Sequence, residues 1–226
     1  MKKLLLFIAV AVLVAGNLRA QVRYLPPTAR SWGIGAGIGA TVLQGDVEDF
    51  NPRLAGRLNL EYNITPYINI GVEGQLGKLA AGDMPSTDRY TRVNFRGANA
   101  NVRFASGQFF RNLNPGSVFG GMYIGAGIGI INSEVTDINE FSNNGSPIKG
   151  IVKEFTGYTV PLNLGLNLEL PRLLGRHNLV ANINYQYNFV QGEDLDGYAY
   201  KSSANTSFDG FSFLTVGLKY NFGKLK

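Results

Sequence analysis

What most constrains the fold of this chain is a period-two alternation of apolar with polar or glycine residues, recurring in eight segments separated by polar or glycine-rich breaks. Successive side chains of a strand point to opposite faces, so each segment reads as a strand with one apolar face. The first, Trp32 to Leu43, sets Trp32, Ile34, Ala36, Ile38, Ala40 and Val42 against glycines at 33, 35, 37 and 39. The fifth, Val118 to Ile131, repeats that glycine face with Gly125, Gly127 and Gly129 beside Tyr123. The second, Leu54 to Ile64, and the third, Tyr67 to Lys78, are joined by Thr65-Pro66 alone, a tight hairpin. The sixth (Phe155 to Leu170), seventh (Leu179 to Phe189) and eighth (Phe211 to Phe222) alternate cleanly, with asparagine prominent on their polar faces. In the fourth, Arg92 to Phe104, apolar positions start at Val93 and Phe95 but resume at Ala98, Ala100, Val102 and Phe104, and this change of phase predicts a β-bulge near Arg96-Gly97.

A soluble sandwich also alternates, because its apolar faces meet in a core and its polar faces meet water. Three features favour lipid instead: the even strand count, aromatic residues at strand ends that border an apolar band, and the start of the chain. Residues 1–20 read as a signal peptide, charged at Lys2 and Lys3, apolar from Leu4 to Val14, and closing on a cleavage region at Leu18-Arg19-Ala20. Its apolar run falls short of the roughly 20 residues a spanning helix needs, and no later segment supplies them. With no cysteine, lipid acylation, disulfides and thiolate metal sites are excluded. Losing Lys2, Lys3 and Arg19 lowers the net charge of +5 by three, and nothing in the pattern suggests a nucleic-acid partner.

The expected architecture is therefore all-β: an eight-stranded antiparallel transmembrane β-barrel of the outer-membrane type over residues 31–226. Residues 21–30, with Pro26-Pro27, are expected as a periplasmic leader, with a plug as the alternative, and the expected location is the outer membrane of a Gram-negative cell. With the N-terminus in the periplasm, outer loops fall at 44–53, 79–91, 132–153 and 190–210, and inner turns at 65–66, 105–117 and 171–178. Trp32, Tyr62, Tyr67, Phe104, Tyr220 and Phe222 then gather at one rim, and Tyr90, Tyr158, Tyr185 and Phe189 near the other.

A barrel this small has an interior about wide enough to be filled by its own side chains. Arg57 faces the level of Gln75 across the hairpin with Glu73 diagonal to it, and Arg103, Glu169 and Lys219 also point inward, so these five are the candidates for a lumenal polar network. The glycine faces of the first and fifth segments leave space for larger neighbours such as Tyr123, Arg57 and Gln186, or for a narrow water path. The glycines recur every second residue with no helix following, which rules out a dinucleotide fingerprint. No catalytic constellation is visible: His177, the only histidine, sits in an inner turn beside Arg172 and Arg176. Acidic residues gather in the outer loops, at Asp46, Glu48, Asp49, Asp83, Asp88, Asp137, Glu140, Glu193, Asp194 and Asp196, without the ligand spacing of a calcium loop. No cofactor or metal is expected. Val216, Leu218, Tyr220 and Phe222 alternate on the lipid face of the last strand as an insertion signal read by barrel-assembly machinery, with Gly223 to Lys226 trailing behind.

The chain resembles the eight-stranded OmpA/OmpX-like barrels over most of residues 31–223, and among them the small barrels of Bacteroidetes outer membranes, PorG-like barrels included. The resemblance is carried by Leu43-Gln44-Gly45-Asp46, Gly82-Asp83, Asn94-Phe95-Arg96, Asp194-Leu195-Asp196-Gly197 and Gly217-Leu218-Lys219-Tyr220-Asn221-Phe222-Gly223. It implies a non-enzymatic integral outer-membrane barrel, a structural or accessory subunit with a secretion assembly as one candidate setting. The expected partners are outer-membrane lipid and lipopolysaccharide, barrel-assembly machinery during insertion, and secretion-system proteins. Two rival roles remain: surface binding through outer loops three and four, where Tyr198 and Tyr200 lie beside acidic residues, and a narrow pore. Unlike full-length OmpA-type proteins, the sequence shows no peptidoglycan-binding domain after the barrel.

Overall fold

A computed structural model describes residues 30–44, 51–82, 90–110, 118–139, 151–170, 178–192, 195, 197 and 210–225. Eight strands follow one another: β1 (Arg30–Gln44), β2 (Arg53–Asn63), β3 (Ile68–Ala81), β4 (Thr91–Ala105), β5 (Met122–Ile138), β6 (Glu154–Glu169), β7 (Leu179–Val190) and β8 (Gly210–Leu225). Each pairs antiparallel with the next and β8 returns to β1, closing an eight-stranded barrel. Closure pairs the backbone of every strand on both sides, the condition a sheet must meet in hydrocarbon, where no water can satisfy an open edge.

Burial is inverted relative to a water-soluble protein. Ile128 is 72% exposed and Leu54 75%, while Asn184 and Gln186 are fully buried. Apolar side chains on the outside and amides within make this a transmembrane barrel whose outer face is lipid-directed. With an even strand count, both ends of the described barrel lie at one rim, together with the strand ends that lead into the β2–β3, β4–β5 and β6–β7 connections; the strand ends at the opposite rim lead into the other connections. At the terminal rim Trp32 meets Tyr62 edge-on at 4.9 Å and Tyr220 stacks with Phe222 at 6.4 Å. Near the loop rim Tyr158, Tyr185 and Phe189 are exposed, whereas Tyr90 lies beyond the band, donating to Asp137 at 2.9 Å.

Several expected boundaries move. The predicted bulge at Arg96-Gly97 is absent: β3 and β4 keep one register from Ile68↔Phe104 to Ala81↔Thr91, with Leu76 opposite Arg96 and Gln75 opposite Gly97. The irregularity in β4 lies against β5, between Arg92 and Val93. Val93 and Phe95 never change phase; they share the inward face with Asn99, Asn101 and Arg103, and their apolar character reflects an apolar lumen at that end. Residues 132–138, including Asp137, belong to β5 and not to a loop, and Val118 to Gly121 form a turn before it. The tail after Phe222 continues β8 to Leu225, turned at Gly223 (φ 89°), where Ser31 Oγ donates to the Lys224 carbonyl at 2.8 Å. The signal peptide, residues 21–29, His177, Arg172, Arg176, Tyr198, Tyr200 and the acidic loop residues other than Asp137 lie outside the described residues.

Candidate functional site: a two-layered lumen

The lumen is filled by two chemically different layers. At the loop end, Leu43, Leu79, Val93, Phe95, Ile131, Val190, Phe211 and Phe213 form an apolar cluster. Phe95 of β4 and Phe211 of β8 meet across the bore at 5.1 Å, and Leu195, from the segment after β7, is fully buried against the same cluster.

Towards the terminal end the inward residues are charged or amidic. Arg57 Nη1 donates to Glu73 Oε2 at 2.9 Å, and Arg103 Nη2 reaches the same oxygen at 3.0 Å. Arg103 Nη1 pairs with Glu61 Oε1, and Lys219 Nζ donates to Glu61 Oε2 at 3.0 Å. Arg103 thus bridges two carboxylates with its planar fork, over the Tyr123 ring at 5.5 Å. Amides extend the network: Asn59 donates to Glu61 at 2.8 Å, Gln75 to Glu73 at 2.7 Å and to Gln186 at 2.6 Å, and Arg57 donates to Asn182. Asn182 donates to the Tyr123 hydroxyl at 3.0 Å, which donates to Asn184 at 2.8 Å. These bonds run from β2, β3 and β5 to β7, across the bore. The gap ringed by Asn59, Glu61, Asn69, Glu73, Asn101 and Arg103 is too narrow for a water molecule.

Glycines make this layer possible. Arg57 lies opposite Gly37, Asn59 opposite Gly35 and Glu61 opposite Gly33 on β1. Asn99, Asn101 and Arg103 lie opposite Gly129, Gly127 and Gly125 on β5, and Lys219 lies opposite Gly35. A methyl group at Gly125 would sit 2.8 Å from Arg103 Cγ, and one at Gly165 would sit 2.4 Å from the Tyr123 ring. The two glycine faces are therefore the recesses in which the polar side chains of the adjacent strands lie.

Of the five residues expected in the lumen, the structure brings Arg57, Glu73, Arg103 and Lys219 into one cluster. Glu169, the last residue of β6, is half-buried beside Val180 of β7, towards the terminal rim. Glu61, to which Arg103 and Lys219 both bind, was not among them, although its parity with Arg57 and its two facing glycines, Gly33 and Gly71, point to it. The apolar plug was also missed; its signal is the unbroken parity that runs from Arg103 through Asn99 to Phe95. Val216, Leu218, Tyr220 and Phe222 all stand exposed on the outer face of β8. Among the described residues there is no group of three or more acidic or histidine side chains that could hold a metal ion.

Solved structures with this fold are small outer-membrane barrels. Neisserial surface protein A matches with a TM-score of 0.55 at 13% identity, over 87% of this chain and all of its own. Ail, the attachment invasion locus protein of Yersinia pestis, matches at 0.48 and 11% identity over 86% of this chain and 99% of its own. The N-terminal barrel domain of Pseudomonas aeruginosa OprF matches at 0.41 and 13% identity, over 85% and 98%. No family model matches the sequence, and no curated protein does. The chain has the fold of an eight-stranded outer-membrane barrel. At these identities the likeness concerns the fold alone.

Proposed function

We propose that this chain is a non-enzymatic integral protein of the outer membrane, a closed barrel serving as a structural or accessory subunit whose contacts are made by its rims, loops and lipid face. The observation that carries this reading is the filling of the bore: an aromatic plug at one end and a cross-lumen ion network at the other leave the inside occupied by the protein's own side chains. Such a barrel acts as a rigid post. Its useful surfaces are external, and a secretion assembly is one setting in which a post of this kind serves as a membrane anchor.

The test is in-cell crosslinking of the tagged protein followed by purification from native outer membranes and mass spectrometry. Stoichiometric partners joined through 105–117 or 171–178 are the expected result; recovery of the barrel alone would overturn the accessory-subunit role. In planar bilayers the purified protein should give no steady conductance, and regular channel openings would restore the pore reading.

A second reading is surface binding through the outer loops, favoured by one observation. Leu195 is sunk in the loop-end cluster and the Gly197 carbonyl accepts from the Val152 amide at 3.0 Å, so these two residues after β7 are tied to the barrel mouth and to the segment before β6. Deleting 198–209 should then abolish binding to whole cells or polysaccharide while leaving insertion intact.

The outward row Val216, Leu218, Tyr220 and Phe222 fits the insertion signal proposed for it, since β8 closes the barrel against β1 with Phe222 opposite Trp32. Phe222→Ala should lower the inserted fraction in cells with little effect on the stability of protein refolded in detergent. An equal loss in both would make Phe222 a packing residue only.

A further inference from the structure

The lipid-directed face is not uniform. Cross-strand partners on the outside form rows: Ile34, Leu60, Val72, Ala100 and Ile128 in one, Ala36, Leu58, Gly74, Ala98 and Ile130 in the next. Between these rows runs an apolar groove of about 770 Å³, walled by Leu58, Leu60, Val72, Ile128, Ile130 and Tyr158. Its floor is low because Gly74, Ala98 and Ala100 stand where neighbouring positions carry branched side chains; a methyl at Gly74 would touch nothing within 4 Å. One row nearer the loop rim, β4 changes from apolar to basic. Arg96 follows Ala98 on the same outward face, and Lys78, opposite Asn94, is its diagonal neighbour on β3. Both are exposed, and neither makes a side-chain hydrogen bond or ion pair among the described residues. Arg92, one step further out, is partly neutralised by Asp137 at 3.6 Å. Among the described residues the nearest other anions are Glu134, opposite Asn94 on β5 and diagonal to Arg96, and Glu154, opposite Glu134 on β6. Asn132 and Thr156, bonded to each other at 3.0 Å, lie one row below them, level with Arg96.

We infer that this face binds one phosphate-bearing lipid, with an acyl chain in the groove between Leu58 and Ile130 and its phosphate on Arg96 and Lys78. Two cations without a side-chain partner among the described residues, at the polar edge of the apolar band, complement a phosphate, and the continuous apolar groove beneath them suits the chain of the same molecule. The acidic pair on β5–β6 confines the headgroup to the β3–β4 side. This inference rests on the outer-membrane reading.

The full chain, refolded into nanodiscs, is exposed to phosphatidic acid or to phosphatidylcholine carrying the same photoactivatable acyl chain, and crosslinked residues are mapped by mass spectrometry. The expected result is labelling concentrated at Leu58, Ala98 and Ile130 with phosphatidic acid, roughly thirtyfold above phosphatidylcholine, the scale of two basic side chains acting on an anionic headgroup. Lys78→Gln with Arg96→Gln should remove the headgroup preference, Ala98→Phe should remove groove labelling with both lipids, and inorganic phosphate should not compete. Labelling spread evenly around an inserted barrel, or equal for the two lipids, overturns the site and leaves the barrel reading standing. Competition by inorganic phosphate overturns the lipid as occupant, and failure to insert at all counts against the outer-membrane reading itself.

Discussion

The two ends of the lumen solve one packing problem in different ways. Both are built by inward residues of the same strands, yet the loop end is filled by Phe95, Phe211 and Phe213 and the other by Arg57, Glu61, Glu73, Arg103 and Lys219. An apolar plug needs only volume and shape, and its loss is graded by the cavity left behind. A buried ion network needs every partner, because removing one strands the others without water to replace it. The apolar half should therefore tolerate conservative change and the ionic half should not.

The sharpest test of that contrast is Arg103→Ala. Arg103 holds Glu61 with one nitrogen and Glu73 with the other, so its removal leaves two buried carboxylates short of a partner. Denaturant unfolding of the refolded protein in detergent should show a loss of about 5 kcal/mol, the upper end for breaking a buried charge pair. A loss below that of the apolar truncation described next would break the comparison. In the plug, Phe213→Ala should cost about 3 to 4 kcal/mol by the same measurement, whereas Phe213→Leu should cost about 1 kcal/mol, since the site asks only for apolar volume. Arg103→Lys separates charge from geometry. It keeps the positive charge but lacks the planar fork that spans both carboxylates, and a loss of about 2 kcal/mol is expected. Full recovery of stability in Arg103→Lys would show that net charge, and not the bridging fork, governs this half.

The same contrast explains what could be read in advance. Strand number, the approximate strand positions and most outward faces follow from period-two alternation, because the lipid-directed side of each strand must stay apolar across the bilayer. Arg57 and Glu73 could be placed together because a short hairpin sets their register. Register between distant strands is not written in either strand alone, so the approach of Lys219 on β8 to Glu61 on β2, and of Gln75 to Gln186, appears only on closure. Phe95 misled for another reason. Apolar residues on an otherwise polar face look like a slip of phase, when here they mark the height at which the lumen changes from amide to hydrocarbon. The glycines of β1 and β5 were legible as space, and their opposition to the polar residues of β2 and β4 shows whose space it is.

That distinction between inward and outward glycine yields the smallest effects and a difference of sign. A methyl at Gly39, on the inward face of β1, would lie 1.9 Å from the Leu214 carbonyl oxygen and 2.7 Å from Thr215 Cα, both backbone atoms that cannot swing aside. Gly39→Ala should therefore cost about 2 kcal/mol, as expected for overpacking against a fixed wall. Gly74 faces lipid with nothing within 4 Å of the added atom and with no positive φ, so alanine fits there without strain. Restricting the unfolded chain should make Gly74→Ala stabilising by about 0.4 to 1 kcal/mol. Equal losses at the two sites would mean that glycine is required along the strands for flexibility everywhere. Opposite signs would mean that only the inward glycines are held in place by the side chains and backbone they face.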